Sequence, residues 1–370
     1  MAIITTTIGA FPKPDYVPTP DWFRDGGAGI SNPTKAYQKY LANLPDNIEE
    51  ILDRGTLEAV LDQVEAGIDI PTDGEIRREN YIHYHCRRIE GIDFSHLTEK
   101  VSRQGAWKAL LPTVTSPPEV REHFLPKDYR TAQDATDRPI KITVPGPMTI
   151  TDSIADNYYN DDKRLGMELA RVLNAEIGKL SEAGCVWIQV DEPLFARKPD
   201  KALEYGFENL ERCFHGLPDN VNRVVHICCG YPDYLDQVNF QKADLIAYSQ
   251  LSAAIEASCI QVISLEDAHR HNDLSLLENF KTTRVMLGVI AIASSHLETV
   301  EEITDRLQTA LEHIDADRLI AAPDCGLGFL NRELALAKLT NMVTAAYSGC
   351  HKYVPFALIY DLVMMCSRNT

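Results

Sequence analysis

The sequence has little positive charge for its size. Lys and Arg number 36 against 54 Asp and Glu, a formal balance of −18 over 370 residues. A field of that sign repels phosphate backbones and anionic headgroups, so nucleic acid and the membrane surface are set aside as partners. Long hydrophobic runs are missing too. The chain opens Met-Ala-Ile-Ile-Thr-Thr-Thr, without the basic and apolar regions of a secretory signal. The longest late apolar run, Val354 to Cys366, is broken by Asp361 and falls short of the ~20 residues a spanning helix needs. No CxxC pair occurs among the nine cysteines, and their odd number argues against a disulfide framework. Free thiols in a reducing cytoplasm are expected, with Cys185, Cys213, Cys259 and Cys350 read as small buried apolar residues. Also absent are the GxGxxG turn of an open dinucleotide-binding sheet, short internal repeats and an interdomain linker.

What is there reads as an ordinary globular chain, 45% hydrophobic and 24% charged, which excludes disorder. Short β-branched or apolar runs recur at 3–8, 67–70, 140–144, 186–190, 223–227, 260–265, 285–290 and 319–322, most followed by Gly, Pro, Asp, Glu or Cys. Amphipathic stretches lie between most of them. Leu165, Leu169, Val172, Leu173, Ile177 and Leu180 share one helical face, as do Val300, Ile303, Leu307, Ala310 and Leu311. A third helix is expected from Arg332 with Asn331 as its N-cap. Eight strands alternating with helices predict an α/β protein of the (β/α)8 TIM-barrel type, one catalytic domain over residues 1–350. The charged, Pro117-Pro118-bearing stretch at about 81–137 is expected to be an insertion after strand 2, a lid or hairpin at the barrel mouth. No sequence rule assigns a structure to the tail, 351–370.

Barrel chemistry sits at the C-terminal ends of the strands. The sequence places Glu75, Asp191, Glu192, His226, Cys228, Glu266, Asp324 and Cys325 there. His226 and Cys228 are two apart, so they share a face of their strand, and Cys229 falls out of phase. With Glu266 and Cys325 they make a set of two thiols, one imidazole and one carboxylate, and tetrahedral zinc accepts all of these donors. Spacing alone leaves another reading open, a buried strand cysteine beside a hydrogen-bonded histidine. For Glu75 and Asp191, the residues alone leave open a solvated or salt-bridged loop acid.

A series of ordered motifs carries a resemblance. They are Thr6-Thr7-Ile8-Gly9-Ala10, Asp73-Gly74-Glu75, Pro145-Gly146-Pro147-Met148-Thr149, Asp191-Glu192-Pro193, Val225-His226-Ile227-Cys228, Ile263-Ser264-Leu265-Glu266, Gly288-Val289 and Pro323-Asp324-Cys325-Gly326-Leu327. The chain resembles the catalytic C-terminal half of cobalamin-independent methionine synthase, and more closely the short single-barrel bacterial and archaeal relatives. The resemblance implies a zinc ion held by His226, Cys228, Glu266 and Cys325, and homocysteine bound as its thiolate. It also implies that Glu75 and Asp191, the candidate catalytic carboxylates, hold the substrate ammonium, while Ile8, Gly9 and Ala10 hold its carboxylate. The physical logic agrees, since a free thiol has a pKa near ~8.5 and is a poor nucleophile when protonated.

The departures fall on the methyl-donor side. Where the family has an Asp and a His after strand 7, this chain has Ala291 and Ala293. The aromatic that follows the Gly-Pro-Met-Thr motif in folate-using members is not evident in Ile150-Thr151-Asp152-Ser153, and Ala10 stands where the family has a Ser. The N-terminal barrel that helps bind polyglutamyl folate has no counterpart in these residues. A zinc-dependent methyltransferase using a donor other than polyglutamyl methyl-folate is therefore expected, with His296 as a substitute acid or a plain surface histidine. Two readings compete: another zinc-thiolate alkyl transfer of the epoxide-opening type, and a degenerate zinc-binding barrel. A homodimer is compatible with all three.

Overall fold

The computed structural model describes residues 2–20, 32–102 and 107–348. The readings of Cys350 and of the tail 351–370 lie outside the described residues. Ten strands are described: β1 Ile4–Thr5, β2 Ile89–Ser102, β3 Trp107–Val120, β4 Lys141–Pro145, β5 Ala155–Asp156, β6 Trp187–Asp191, β7 Asn222–Ile227, β8 Val262–Leu265, β9 Arg284–Ile290 and β10 Leu319–Pro323. Seven of them form one curled parallel sheet in the order β1-β10-β9-β8-β7-β6-β4. Residues 70–72 stand between its two edges, with parallel bridges from Thr6 to Ile70 and from Thr72 to Lys141.

Period-two patterning builds the layers. Val224, Val262, Met286 and Ile320 join a small apolar cluster with Trp187. Their chain neighbours Val225, Ile263, Leu287 and Ala321 pack instead into the main core under the helices. Each fully buried Val, Ile, Leu or Met among them contributes about 1.5–3 kcal/mol relative to exposure. The helices follow the expected faces. Asp162–Glu182 buries Leu165, Leu169, Val172, Leu173, Ile177 and Leu180. Val300–Ala310 starts on a capping box between Thr299 and Glu302. Arg332–Ser348 follows Asn331, whose Oδ1 accepts from the Leu334 N–H at 2.8 Å. No helix among the described residues is long and apolar enough to cross a membrane.

Two expectations are sharpened. The run 67–70 is not a strand in its first residues: Gly67 turns with φ +97°, and pairing is confined to Ile70 and Thr72. The stretch 81–137 is also more regular than its charge suggested. Its centre is an antiparallel hairpin of β2 and β3, flanked by β5. Its end is the helix Leu125–Gln133, which buries Leu125, Tyr129 and Ala132 at helical spacing. Pro126 sits in the first turn of that helix, where a missing N–H does no harm.

Candidate functional site

β7 and the residue after it bring His226 and Cys228 to one side, both buried. Cys325 follows β10. One ligand atom from each of His226, Cys228 and Cys325 lies within 4.8 Å of the others. Register explains how the imidazole is held: His226 pairs with Ser264 across β7 and β8, and its Nδ1 stands 2.9 Å from the Ser264 Oγ. Its Nε2 is buried and has no hydrogen-bond partner among the described residues. Such an orphan atom is costly unless a ligand meets it. Burial, with Lys141 second, pulls the imidazole down to about 3, so it is a neutral donor at physiological pH.

Glu266 lies two residues beyond Ser264, in the same phase. Its N–H donates to the Tyr248 hydroxyl at 2.9 Å, and the Asn272 amide donates to its carbonyl at 2.7 Å. Burial, then the charges of Cys228 and Asp324, raise its carboxyl well above the ordinary range, and it hydrogen-bonds the Cys228 thiol. The Cys228 thiol is itself raised by its hydrogen bond with Cys325 and by burial. Cys229 turns the other way into the main core, with its thiol against the Tyr248 hydroxyl.

Glu75 approaches from the loop after residues 70–72. Gly74 and Glu75 are both left-handed, at φ +67° and +55°, a conformation a non-glycine residue holds only when its surroundings over-determine it. Here Glu75 Oε1 accepts from Thr143 Oγ1 at 2.6 Å and meets Arg78 Nη1 at 3.3 Å. A Cβ on Gly9 would lie 2.6 Å from that same Oε1, so the close approach needs glycine. Asp191, at the end of β6, accepts from Gln189 Nε2 at 2.8 Å. Burial, then the charge of Glu75, push its carboxyl up to about 8. Arg78 and Lys141 offset only part of that rise. The Ile8, Gly9 and Ala10 carbonyls accept from Gln189, Thr72 and the Leu327 N–H at 3.0, 2.7 and 2.7 Å, which anchors that loop through its acceptors.

Two of the strand-end acids do other work. Glu192 accepts from the Met148 and Thr149 amides and the Thr149 hydroxyl. Asp324 accepts from the Asp267, Ala268 and His269 amides, tying the loop after β8 to β10. On the donor side, Ala293 is buried and its N–H donates to His269 Nε2 at 3.3 Å. His296 is exposed and pairs with Glu302 at 3.3 Å. Sequence reading missed Ser264, Gln189, Thr143, Arg78 and Tyr81. For Ser264 and Gln189 a signal existed, since each lies two residues before a chosen acid and shares its face. Tyr81 carried none. Its phenol lies near Asp191, Cys228 and Cys325, and burial, then those charges, hold it well above the ordinary range.

With this geometry in hand, comparison with known proteins decides the family. The model of the cobalamin-independent synthase catalytic domain matches residues 3–348. The chain belongs to that family. It is accordingly a methyltransferase. It is 30% identical to the methionine synthase of Saccharolobus solfataricus over 344 residues, covering 92% of each chain. It is 29% identical to that of Sulfolobus acidocaldarius, covering 92% of this chain and 90% of that one. The structure of a B12-independent methionine synthase from Shewanella sp. W3-18-1, in complex with selenomethionine, superposes with a TM-score of 0.81 at 28% identity, over 99% of this chain and 100% of that one. A methyltransferase from Methanosarcina mazei shares the fold, with a TM-score of 0.59 at 13% identity over 93% of each chain.

Proposed function

We propose that this chain is a zinc-dependent thiol S-methyltransferase that makes methionine from homocysteine, with a methyl donor other than polyglutamyl methyl-folate. The observation that carries the reading is the orphaned, buried His226 Nε2 beside the Cys228 and Cys325 sulfurs. One imidazole and two thiols are a zinc donor set, with Glu266 at hand as the fourth ligand. Zinc bound there would supply a Lewis acid that keeps a substrate thiol ionised at neutral pH. The chain's own residues do the rest. With a metal on Nε2, the ring proton would sit on Nδ1 and the Ser264 oxygen, 2.9 Å away, would accept it. Glu75 and Asp191 take the substrate ammonium, and the amides of Ile8, Gly9 and Ala10 take its carboxylate.

Positions 269, 293 and 296 favour a donor other than methyl-folate. Methyl transfer from a folate nitrogen needs that nitrogen protonated, and a positioned acid contributes roughly 10²–10⁴-fold. Alanine at 293 has no proton to give. Beside it, His269 spends Nε2 accepting from the backbone, and burial, then Lys242, lower its imidazole to about 4. His296 is occupied by Glu302 at the surface. A donor that leaves without protonation, a methyl-corrinoid or a methylated onium compound, fits this site.

The same reading takes residues 70–72 as the second stave of a (β/α)8 barrel forming one catalytic domain over 1–350, with the β2–β3 hairpin as an insertion. The bridges at Ile70 and Thr72 support it. The free state of the described cysteines supports work in the cytoplasm. The test is metal analysis with turnover of homocysteine against methyl-folate, methylcobalamin and a sulfonium donor at matched concentrations. About one zinc per chain and turnover with the latter donors are expected. Efficient turnover with methyl-folate alone, at ~1–10³ s⁻¹, would sink the donor assignment.

A further inference from the structure

Lys141 is a lysine where a barrel layer should be apolar. It opens β4 with its side chain fully buried, among the largest such side chains in the protein. In register it stands beside Trp187, which packs with Val224, Val262, Met286 and Ile320. Its Nζ meets the Met286 sulfur at 3.9 Å, and sulfur is a weak acceptor. Lys and Glu are almost never fully buried unless paired, because desolvating a charge is expensive. The nearest acidic charge on the adjoining strand lies two same-face positions further up. Pro145 pairs with Asp191, four residues and ~13 Å along the strand from the Lys141–Trp187 pair, and a lysine side chain spans about half of that. Asp191 and His226 both feel the ammonium.

That upper level gathers anions. Cys228 and Cys325 as metal ligands, with Glu266, Glu75 and Asp191, bring more negative charge than Arg78 and a divalent ion offset, and an amino-acid thiolate adds one more. We propose that Lys141 is the buried counter-cation of the site, a positioning residue that favours the ionised, metal-loaded state from below without touching metal or substrate. Without the metal, burial, opposed by Asp191, leaves the ammonium weakened at about 7. Coupling is reciprocal, so a filled anionic site and a charged Lys141 stabilise each other.

This inference rests on the zinc reading, and the test separates the two. Zinc affinity of the full-length parent, Lys141→Met and Lys141→Gln is measured by chelator competition without substrate, beside the melting temperature of each metal-free protein. Met suits the apolar layer and removes an unpaired charge, so metal-free Lys141→Met should melt at or above the parent. Its zinc affinity should fall by about 10-fold or more, because a buried positive charge is removed from below the anionic ligands. Lys141→Gln should lose zinc affinity similarly. Parent-like zinc affinity in both variants would overturn the role of Lys141 and leave the zinc reading standing. So would a fall in metal-free melting temperature that accounts for the affinity loss. A parent that binds no zinc would overturn the zinc reading and this inference with it.

Discussion

Replacing Ser264 by Ala isolates the hydrogen bond that aims His226. Ser264 is buried, and its Oγ lies 2.9 Å from His226 Nδ1. In the metal-ready tautomer Nδ1 carries the proton and the serine oxygen accepts it. Alanine removes that acceptor and leaves a buried N–H unpaired, at a penalty of about 1–3 kcal/mol. The imidazole is then no longer held and can rotate or carry its proton on Nε2 instead, and either takes the Nε2 lone pair away from the metal. Loss of such a partner typically weakens metal binding by about 10- to 100-fold, or ~1.4–2.8 kcal/mol. The assay is competition between the protein and a chromophoric chelator at fixed pH, with circular dichroism to show that the metal-free fold is retained. Zinc affinity within about twofold of the parent, in a folded protein, would refute the claim that Ser264 sets the histidine donor.

Three further outcomes are expected. Cys228→Ser should abolish tight zinc binding while Cys229→Ser keeps it, because Cys229 packs into the core beside Tyr248; the reverse pattern in metal analysis would break the strand-phase argument. Asp191 has its carboxyl raised to about 8 in the metal-free protein. Between the unfolded value near ~3.9 and that point the native state holds a proton the unfolded chain has released, so the parent loses stability as pH rises through this window. Asp191→Asn should therefore gain on the parent by at least about 1 kcal/mol between pH 5 and pH 8 in urea titrations, while its homocysteine affinity falls by roughly 10- to 100-fold. Asp324→Ala removes the acceptor of three loop amides and should lower stability by about 3 kcal/mol or more; an unchanged melting temperature would contradict that role.

Much of this molecule follows from local rules. Alternation with period two put His226 and Cys228 on one face and Cys229 on the other, since side-chain direction in a strand is set by the backbone pleat and not by packing. Helical faces such as Leu165 to Leu180 were likewise readable, because burial selects the apolar stripe. The position of functional groups at strand ends gave Glu266 and Cys325 as companions of His226 across long stretches of chain. Local rules do not say how strands line up. Only register placed Ser264 beside His226, and only the meeting of loops made Asp324 and Glu192 anchors of backbone amides when as strand-end acids they look like Glu75 and Asp191. The helix Leu125–Gln133 was hidden because its apolar positions are few and charge surrounds them, and the fold supplied the surface that buries them. Lys141 marks the same boundary: its sequence neighbours announce a buried strand, but the environment of its ammonium depends on Trp187, Met286, Asp191 and His226, which only the curled sheet gathers around it.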